Sequence, residues 1–260
     1  MIVVGRNYTR VQVIDFNTQV QKLFTLILGE YGTGKTRLAA TAALVPELSP
    51  VLYVDCGNSA DTITGEKTLR NSPIKGIKVN GVVEFEKFFN MELPKLLKEN
   101  NFKTLILDDF QEIAYDITYN PTGSKKSIRT VGKWNAIRPD YDEWFALIQL
   151  LNIVVDALNK LPLNVIVNVT ARRVLNETTG SEVIGASIGG QSGAMLPSKF
   201  SHVWYTVVKT VRNKEPIYSV VFKPTNLLVA RVRGKDIADR LGQEMDNPSF
   251  VDIYDKLKEN

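Results

Sequence analysis

The run Gly29-Glu30-Tyr31-Gly32-Thr33-Gly34-Lys35-Thr36 follows the apolar stretch Leu23-Phe24-Thr25-Leu26-Ile27-Leu28 and has the spacing G-x-x-x-x-G-K-[ST]. Its chemistry is the binding of phosphates. Glycines let the backbone curl until successive N–H groups point at one centre, and they leave no Cβ between that backbone and an anion. A helix starting near Lys35 adds the positive end of its dipole at the same place. Lys35 then reaches the β- and γ-phosphates, and the Thr36 hydroxyl ligates Mg²⁺. The eight residues are expected to bind a nucleoside triphosphate, ATP in the first instance.

A bound triphosphate needs a hard cation, which takes one or two protein oxygens beside phosphate and water. The run Thr104-Leu105-Ile106-Leu107-Asp108-Asp109 is an apolar strand ending in carboxylates. Asp108 is expected to join Thr36 at the Mg²⁺, as a Walker B aspartate does. Hydrolysis further requires a group that orients or deprotonates water, and three carboxylates compete for it. Asp109 adjoins the metal ligand, but successive strand residues point to opposite faces, so it serves only if the chain leaves strand geometry there. Asp55 ends the neighbouring strand Val51-Leu52-Tyr53-Val54-Asp55, and Glu112 falls on the following helix. A chain with none of the three in place would bind ATP as a switch.

The elements that must position these groups are legible as alternating strands and helices. Arg37 to Leu44 forms a helix ended by Pro46. Gly81 to Asn100 has a helical period that Pro94 kinks or divides, and Tyr141 to Leu161 is a second long helix. Asn164-Val165-Ile166-Val167-Asn168-Val169-Thr170 is a further apolar strand. Val203 to Val208 and Tyr218 to Phe222 pair around a polar turn, and a last helix runs from about Phe250 to Lys258. Residues from Asn120 to Asp140 lose periodicity and read as a long loop, and Arg172 to Gly190 as an irregular stretch with a hairpin. Strands alternating with helices give an α/β fold, a mostly parallel sheet covered on both faces with late antiparallel strands.

The chain of 260 residues, 44% of them hydrophobic, can bury one large core. The expected organisation is a strand or hairpin lead-in over residues 1–22, an ATPase core over residues 23–235 and a helical tail over residues 236–260, all in one domain. A single cysteine, Cys56, excludes an internal disulfide framework and suits a reducing cytoplasm. The first residues lack the apolar region of a signal peptide, and no apolar run reaches membrane-spanning length. The net charge of +4 permits a polyanionic partner without demanding one. His202, the only histidine, is expected to pack before a strand.

The order of these pieces resembles the RecA-type ATPases, and in particular the small Rad-like ATPases of bacteriophages that accompany recombination and single-strand annealing. The resemblance covers roughly Leu23 to Lys235. It implies a RecA-like P-loop fold and a cytoplasmic setting, that of a bacterial host if the protein is viral. It makes Thr170 the polar sensor at a strand end, Arg172 to Ser187 a disordered loop, and Ile188-Gly189-Gly190-Gln191 the return. Two departures stand out. RecA proteins keep a glutamate where this chain reads Asp55-Cys56-Gly57-Asn58, and an Asn-Gln pair where it reads Thr170-Ala171.

The resemblance also gives the two irregular stretches a partner, single-stranded DNA. The first holds Lys125, Lys126, Arg129, Lys133 and Arg138 with Trp134 among them and Tyr119 and Tyr141 at its edges. Cations that track a backbone, with aromatics for base stacking, are what single-strand binders use. The bland reading is a solvated basic loop with Trp134 packed on the core. The second stretch offers Arg172 and Arg173, offset by Glu177 and Glu182. Arg231, Arg233 and Lys209 are candidates to reach a neighbouring subunit's nucleotide in a ring or filament. The expectation is an ATPase acting on single strands in recombination, annealing or replication, as a homo-oligomer, alongside an annealing or single-strand-binding protein. The alternatives are a nucleotide-gated loader or scaffold that hydrolyses little, and a packaging or helicase-type motor. A phosphotransferase is disfavoured because no compact arginine-rich lid is evident.

Overall fold

The computed structural model describes residues 22–119, 128–131, 134–137, 141–175, 180, 182–189 and 191–258. The lead-in expected before residue 22 lies outside them. The apolar runs become strands for the reason read from their composition: each is buried on both faces along its apolar stretch, which in the last of them is residues 165–171, as parallel strands covered by helices must be. These are β1 (Phe24–Gly29), β2 (Val51–Asp55), β4 (Thr104–Asp108) and the longer β7 (Asn164–Leu175). To them are added β3 (Ile74–Lys78), β8 (Glu182–Ala186), β9 (His202–Lys209), β10 (Ile217–Val221) and β11 (Glu244–Asp246).

The sheet order is β11-β10-β9-β1-β7-β4-β2-β3, with β8 joined to β7. Pairing is parallel from β9 through to β3 and antiparallel at β9–β10, β10–β11 and β7–β8. Strand β7 is therefore inserted between the strand that enters the phosphate loop and the strand that ends in Asp108. This is the RecA-like P-loop arrangement, with late antiparallel strands at one edge.

Alternate strand residues feed two cores, one on each face of the sheet. Leu26 and Leu28 pack with Phe85, Phe88, Leu147, Leu151 and Leu158 from α3 (Gly81–Lys87), the π-turn Phe88–Glu92 and α6 (Tyr141–Lys160). Ile27 and Trp204 pack instead with Leu38 and Ala39 of α1 (Lys35–Ala40), Leu241 of α8 (Lys235–Leu241) and Ile253 of α9 (Phe250–Lys258). The expected division at Pro94 is present: the helical run passes through the π-turn into α4 (Leu93–Glu99), with the proline in its first turn, where a missing N–H costs least.

Four expectations change. Edge strand β3 was not foreseen. The stretch read as a loop contains an antiparallel hairpin, β5 (Ile128–Val131) with β6 (Trp134–Ile137). Strand β7 continues past Thr170, so Arg172 and Arg173 lie on a strand paired to β8 rather than in a disordered loop. Across residues 236–258, read as a helical tail of the one domain, β11 adds a strand to the sheet and Phe250 is buried against Trp204 with ring centroids 5.3 Å apart.

Candidate nucleotide site

Strand β1 ends at Gly29, and the chain turns into α1 through Gly32 and Gly34, with φ of 73° and 86°. These left-handed values are open to glycine and strained for other residues. Thr33 ties the loop to β9: its Oγ1 donates to the Glu30 carbonyl at 2.8 Å and shares a 2.7 Å hydrogen bond with the Thr206 hydroxyl. Tyr31 projects from the loop, 77% exposed. Lys35 is buried and folds back, its Nζ donating to the carbonyls of Gly29 at 3.1 Å and Glu30 at 2.9 Å. Burial lowers its pKa, and the charges of Asp109 and Asp108 pull it back up. An ammonium held by two loop carbonyls, with the Tyr31 ring centroid 5.9 Å away, is ready to exchange the carbonyls for phosphate oxygens.

Asp108 ends β4 with no exposed surface. Its Oδ2 accepts from Thr36 Oγ1 at 2.7 Å and from the Tyr53 hydroxyl at 2.6 Å, and its Oδ1 accepts from Asn168 Nδ2 at 2.6 Å. Burial raises the pKa of Asp108, and the Tyr53 and Thr36 hydroxyls work against that rise. The donor set fits Mg²⁺: a carboxylate and a hydroxyl, both hard oxygens, touch each other at the foot of the loop. Thr36 and Asp108 would hold the ion, which neutralises charge on the phosphates when bound. Tyr53 and Asn168 were missed from sequence. The available signal was a hydrogen-bonding side chain inside each of two otherwise apolar strands, where burial demands a partner.

The three carboxylates competing for water occupy different surroundings. At Asp109 the chain does leave strand geometry, with φ of 54°. Its Oδ2 accepts from Ser59 Oγ at 2.8 Å and its Oδ1 from Gln111 Nε2 at 3.1 Å. Gly57 makes room for it, since a Cβ there would lie 2.5 Å from the Asp109 Cβ. Asp109 lines a cleft of about 450 Å³ together with Lys35, Thr36 and Thr206. Asp55 lines a different cavity, beside Tyr53 and Lys78. Its carboxylate accepts the N–H groups of Gly57, Ser59 and Ala60 at 3.1, 3.0 and 3.2 Å, and so fastens the start of α2 (Ala60–Gly65). Burial opposes ionisation of Asp55, but those N–H groups outweigh it and hold the carboxyl below its usual range. Glu112 is half-buried in the first turn of α5 (Gln111–Tyr119), its Oε1 3.4 Å from Gln111 Nε2.

Thr170 sits beside Gly29 in the sheet register. Its N–H donates to Gln111 Oε1 at 3.0 Å, and its buried hydroxyl has no hydrogen-bond partner among the described residues. The β7 side chain that touches the acidic pair is Asn168.

Of the remaining cations, those among the described residues have other surroundings. Lys125, Lys126, Lys133 and Arg138 lie outside the described residues, and Arg129 falls on β5. Arg172 and Arg173 are exposed on β7, with Arg172 donating to the Ile188 carbonyl. Lys209 is engaged by Glu244 and Asp246 at 2.6 and 2.9 Å. Arg231 donates to the carbonyls of Pro197, Ser198 and Phe200, an internal role that the sequence reading did not foresee. It pairs with Val203 near the start of β9, at the opposite end of the sheet from the phosphate loop, and Arg233 is exposed nearby. Among the described residues no helix is long and apolar enough to cross a membrane.

No curated protein matches the chain in sequence. Solved structures similar to it include the flagellar accessory protein FlaH from Methanocaldococcus jannaschii, 11% identical, covering 77% of this chain and 76% of that one, with a TM-score of 0.40. The RadB recombinase is 17% identical, with coverage of 79% and 84% and a TM-score of 0.44. The ATPase DotB of Legionella pneumophila is 8% identical over 78% of this chain and 46% of its own, with a TM-score of 0.34. The family model described as an AAA domain matches residues 21–234, a span that holds the phosphate loop, Asp108 and Asp109. The chain belongs to the AAA domain family and is a P-loop NTPase.

Proposed function

We propose that the protein hydrolyses ATP with Asp109 orienting the attacking water, and that it does so as an oligomer on single-stranded DNA. The observation that carries the hydrolytic part is the left-handed turn at Asp109. It sends this carboxylate into the cleft of Lys35 and Thr36 while Asp108 stays with Thr36. A carboxylate fixed by hydrogen bonds from Ser59 and Gln111 can accept a proton from water without first being ordered.

The DNA part rests on composition and placement. The basic, aromatic stretch between α5 and α6 leaves from the helix whose Tyr115 hydroxyl shares a 2.7 Å hydrogen bond with Ser187, just beyond the β7–β8 hairpin that carries Arg172 and Arg173. Cations with aromatics among them, in the composition of that stretch, suit a phosphate backbone and its bases. Arg233, exposed at the far end of the sheet, is then the candidate to reach a neighbour's nucleotide, with Arg231 holding the segment beneath it.

The test is ATP turnover with and without single-stranded DNA, for wild type and Lys35→Ala. Stimulation by DNA that disappears in the variant supports the proposal. Tight ATP binding with turnover indifferent to DNA would replace it with a nucleotide-gated scaffold.

A further inference from the structure

The cleft continues beyond the phosphate loop. Past Arg37 and Thr41 it reaches the turn Asn247–Pro248–Ser249, with Tyr218 on the same wall. The sheet order sets the direction: β10, which carries Tyr218, lies on one side of β1, and β4, which leads into Asp109, lies on the other. Lys35 and the two aspartates mark the γ-phosphate end. The wall at Tyr218 is therefore the base end.

That wall is built before any ligand arrives. Tyr218 N–H donates to Asn247 Oδ1 at 2.9 Å, and Asn247 N–H donates back to the Tyr218 carbonyl. Asn247 is left-handed, with φ of 48°, a conformation that asparagine tolerates better than most residues. On the far side, Phe250 N–H donates to Thr41 Oγ1 at 2.9 Å, so the turn is also fastened to the segment that follows α1. Tyr218 is 36% exposed, and its Cδ1 is 3.4 Å from where a Cβ on Gly34 would stand, which sets the ring against the end of the loop. Because Asn247 Oδ1 accepts, its amide Nδ2 is left as a donor with no protein partner among the described residues.

We propose that this wall is the nucleobase subsite, and that it takes a purine stacked on Tyr218 and Pro248 with Asn247 Nδ2 donating to a ring nitrogen. The proposal rests on the reading of Gly29–Thr36 as the phosphate site. Stacking grows with ring area, so purines are preferred to pyrimidines. Adenine and guanine both offer a ring-nitrogen acceptor, so the subsite selects by ring size and not by exocyclic group.

The test is calorimetric titration of the full chain with ADP, GDP, CDP and inorganic tripolyphosphate, for wild type, Tyr218→Ala, Tyr218→Phe and Lys35→Ala. ADP and GDP should bind within a few-fold of each other and CDP about tenfold more weakly, the scale of part of one base stack. Tyr218→Ala should weaken ADP about tenfold and leave tripolyphosphate unchanged, while Tyr218→Phe retains ADP binding. Lys35→Ala should weaken ADP and tripolyphosphate together. If Tyr218→Ala binds ADP as wild type does, or loses ADP and tripolyphosphate equally, the base subsite is overturned while the phosphate site stands. If Lys35→Ala changes neither ligand, the phosphate reading falls and this proposal with it.

Discussion

Ser59 Oγ donates to Asp109 Oδ2 at 2.8 Å, while the Ser59 N–H donates to Asp55 Oδ1 at 3.0 Å. One serine thus separates two carboxylates that look equivalent in sequence. Its backbone closes Asp55 into the start of a helix, and its side chain steadies Asp109 at the edge of the nucleotide cleft.

The space that Asp109 occupies depends on Gly57. In Gly57→Ala the new Cβ would meet the Asp109 Cβ at 2.5 Å, well inside contact distance, and the aspartate must move. Turnover should fall about 100-fold, the loss expected from roughly an ångström of misplacement. Nucleotide affinity, measured by equilibrium titration, should stay within a few-fold of wild type.

The proposed role of Asp55 is in stability, since its carboxylate holds the N–H groups of Gly57, Ser59 and Ala60. Asp55→Asn removes a charged acceptor from the N–H groups at the start of α2 and should cost about 1–3 kcal/mol in urea unfolding. Because the folded carboxyl lies below its ordinary range, its contribution is present at neutral pH and is lost as pH falls through the folded pKa. Turnover of the folded variant should match wild type. A folded Asp55→Asn protein without turnover would return the catalytic role to this residue.

Asn168 and Tyr53 hydrogen-bond the Asp108 carboxylate, Asn168 at Oδ1 and Tyr53 at Oδ2, the oxygen that Thr36 also meets. Removing either hydrogen bond, as in Asn168→Ala or Tyr53→Phe, should raise the Mg²⁺ concentration for half-maximal turnover about 10- to 100-fold, as loss of an outer-shell partner does at other metal sites. A magnesium titration of activity reads this directly, and an unchanged midpoint in both variants would remove them from the site.

His202 gives the fold a pH dependence with a definite sign. It is buried, and burial, followed by the charges of Arg233 and Arg231, lowers its pKa from 6.5 to about 4. Between those values the unfolded chain binds a proton that the folded chain refuses, so stability drops as pH falls through this window. From pH 7 to pH 5 the loss should be about 2 kcal/mol. Urea unfolding of His202→Gln at the two pH values should lack that component.

The sequence disclosed those parts whose physics is local. Apolar runs ending in acids became β2 and β4 because buried parallel strands need unbroken hydrophobicity. The phosphate loop declared itself through the glycines its backbone requires. Strand β3 escaped because an edge strand is half-exposed, and Ile74-Lys75-Gly76-Ile77-Lys78 carries too little apolar pattern to separate from a loop. The hairpin of β7 with β8 was expected within Arg172 to Gly190, but the continuation of β7 through Arg172 and Arg173 escaped because two adjacent arginines break the apolar run. The departure of Asp109 from strand geometry is a single backbone angle, which no residue pattern encodes. Asn168 was hidden for the opposite reason, since a polar side chain inside an apolar strand reads as a blemish until its partner Asp108 is seen 2.6 Å away. Arg231 looked like a free cation until three carbonyls from the segment before β9 claimed it.

The most direct measurement is single-turnover ATP hydrolysis by Asp109→Asn, with ATP affinity determined on the same preparation. A positioned general base contributes about 10²- to 10⁴-fold, so turnover should fall by at least about 100-fold while affinity stays within a few-fold of wild type. Turnover by Asp109→Asn at the wild-type rate would contradict the account.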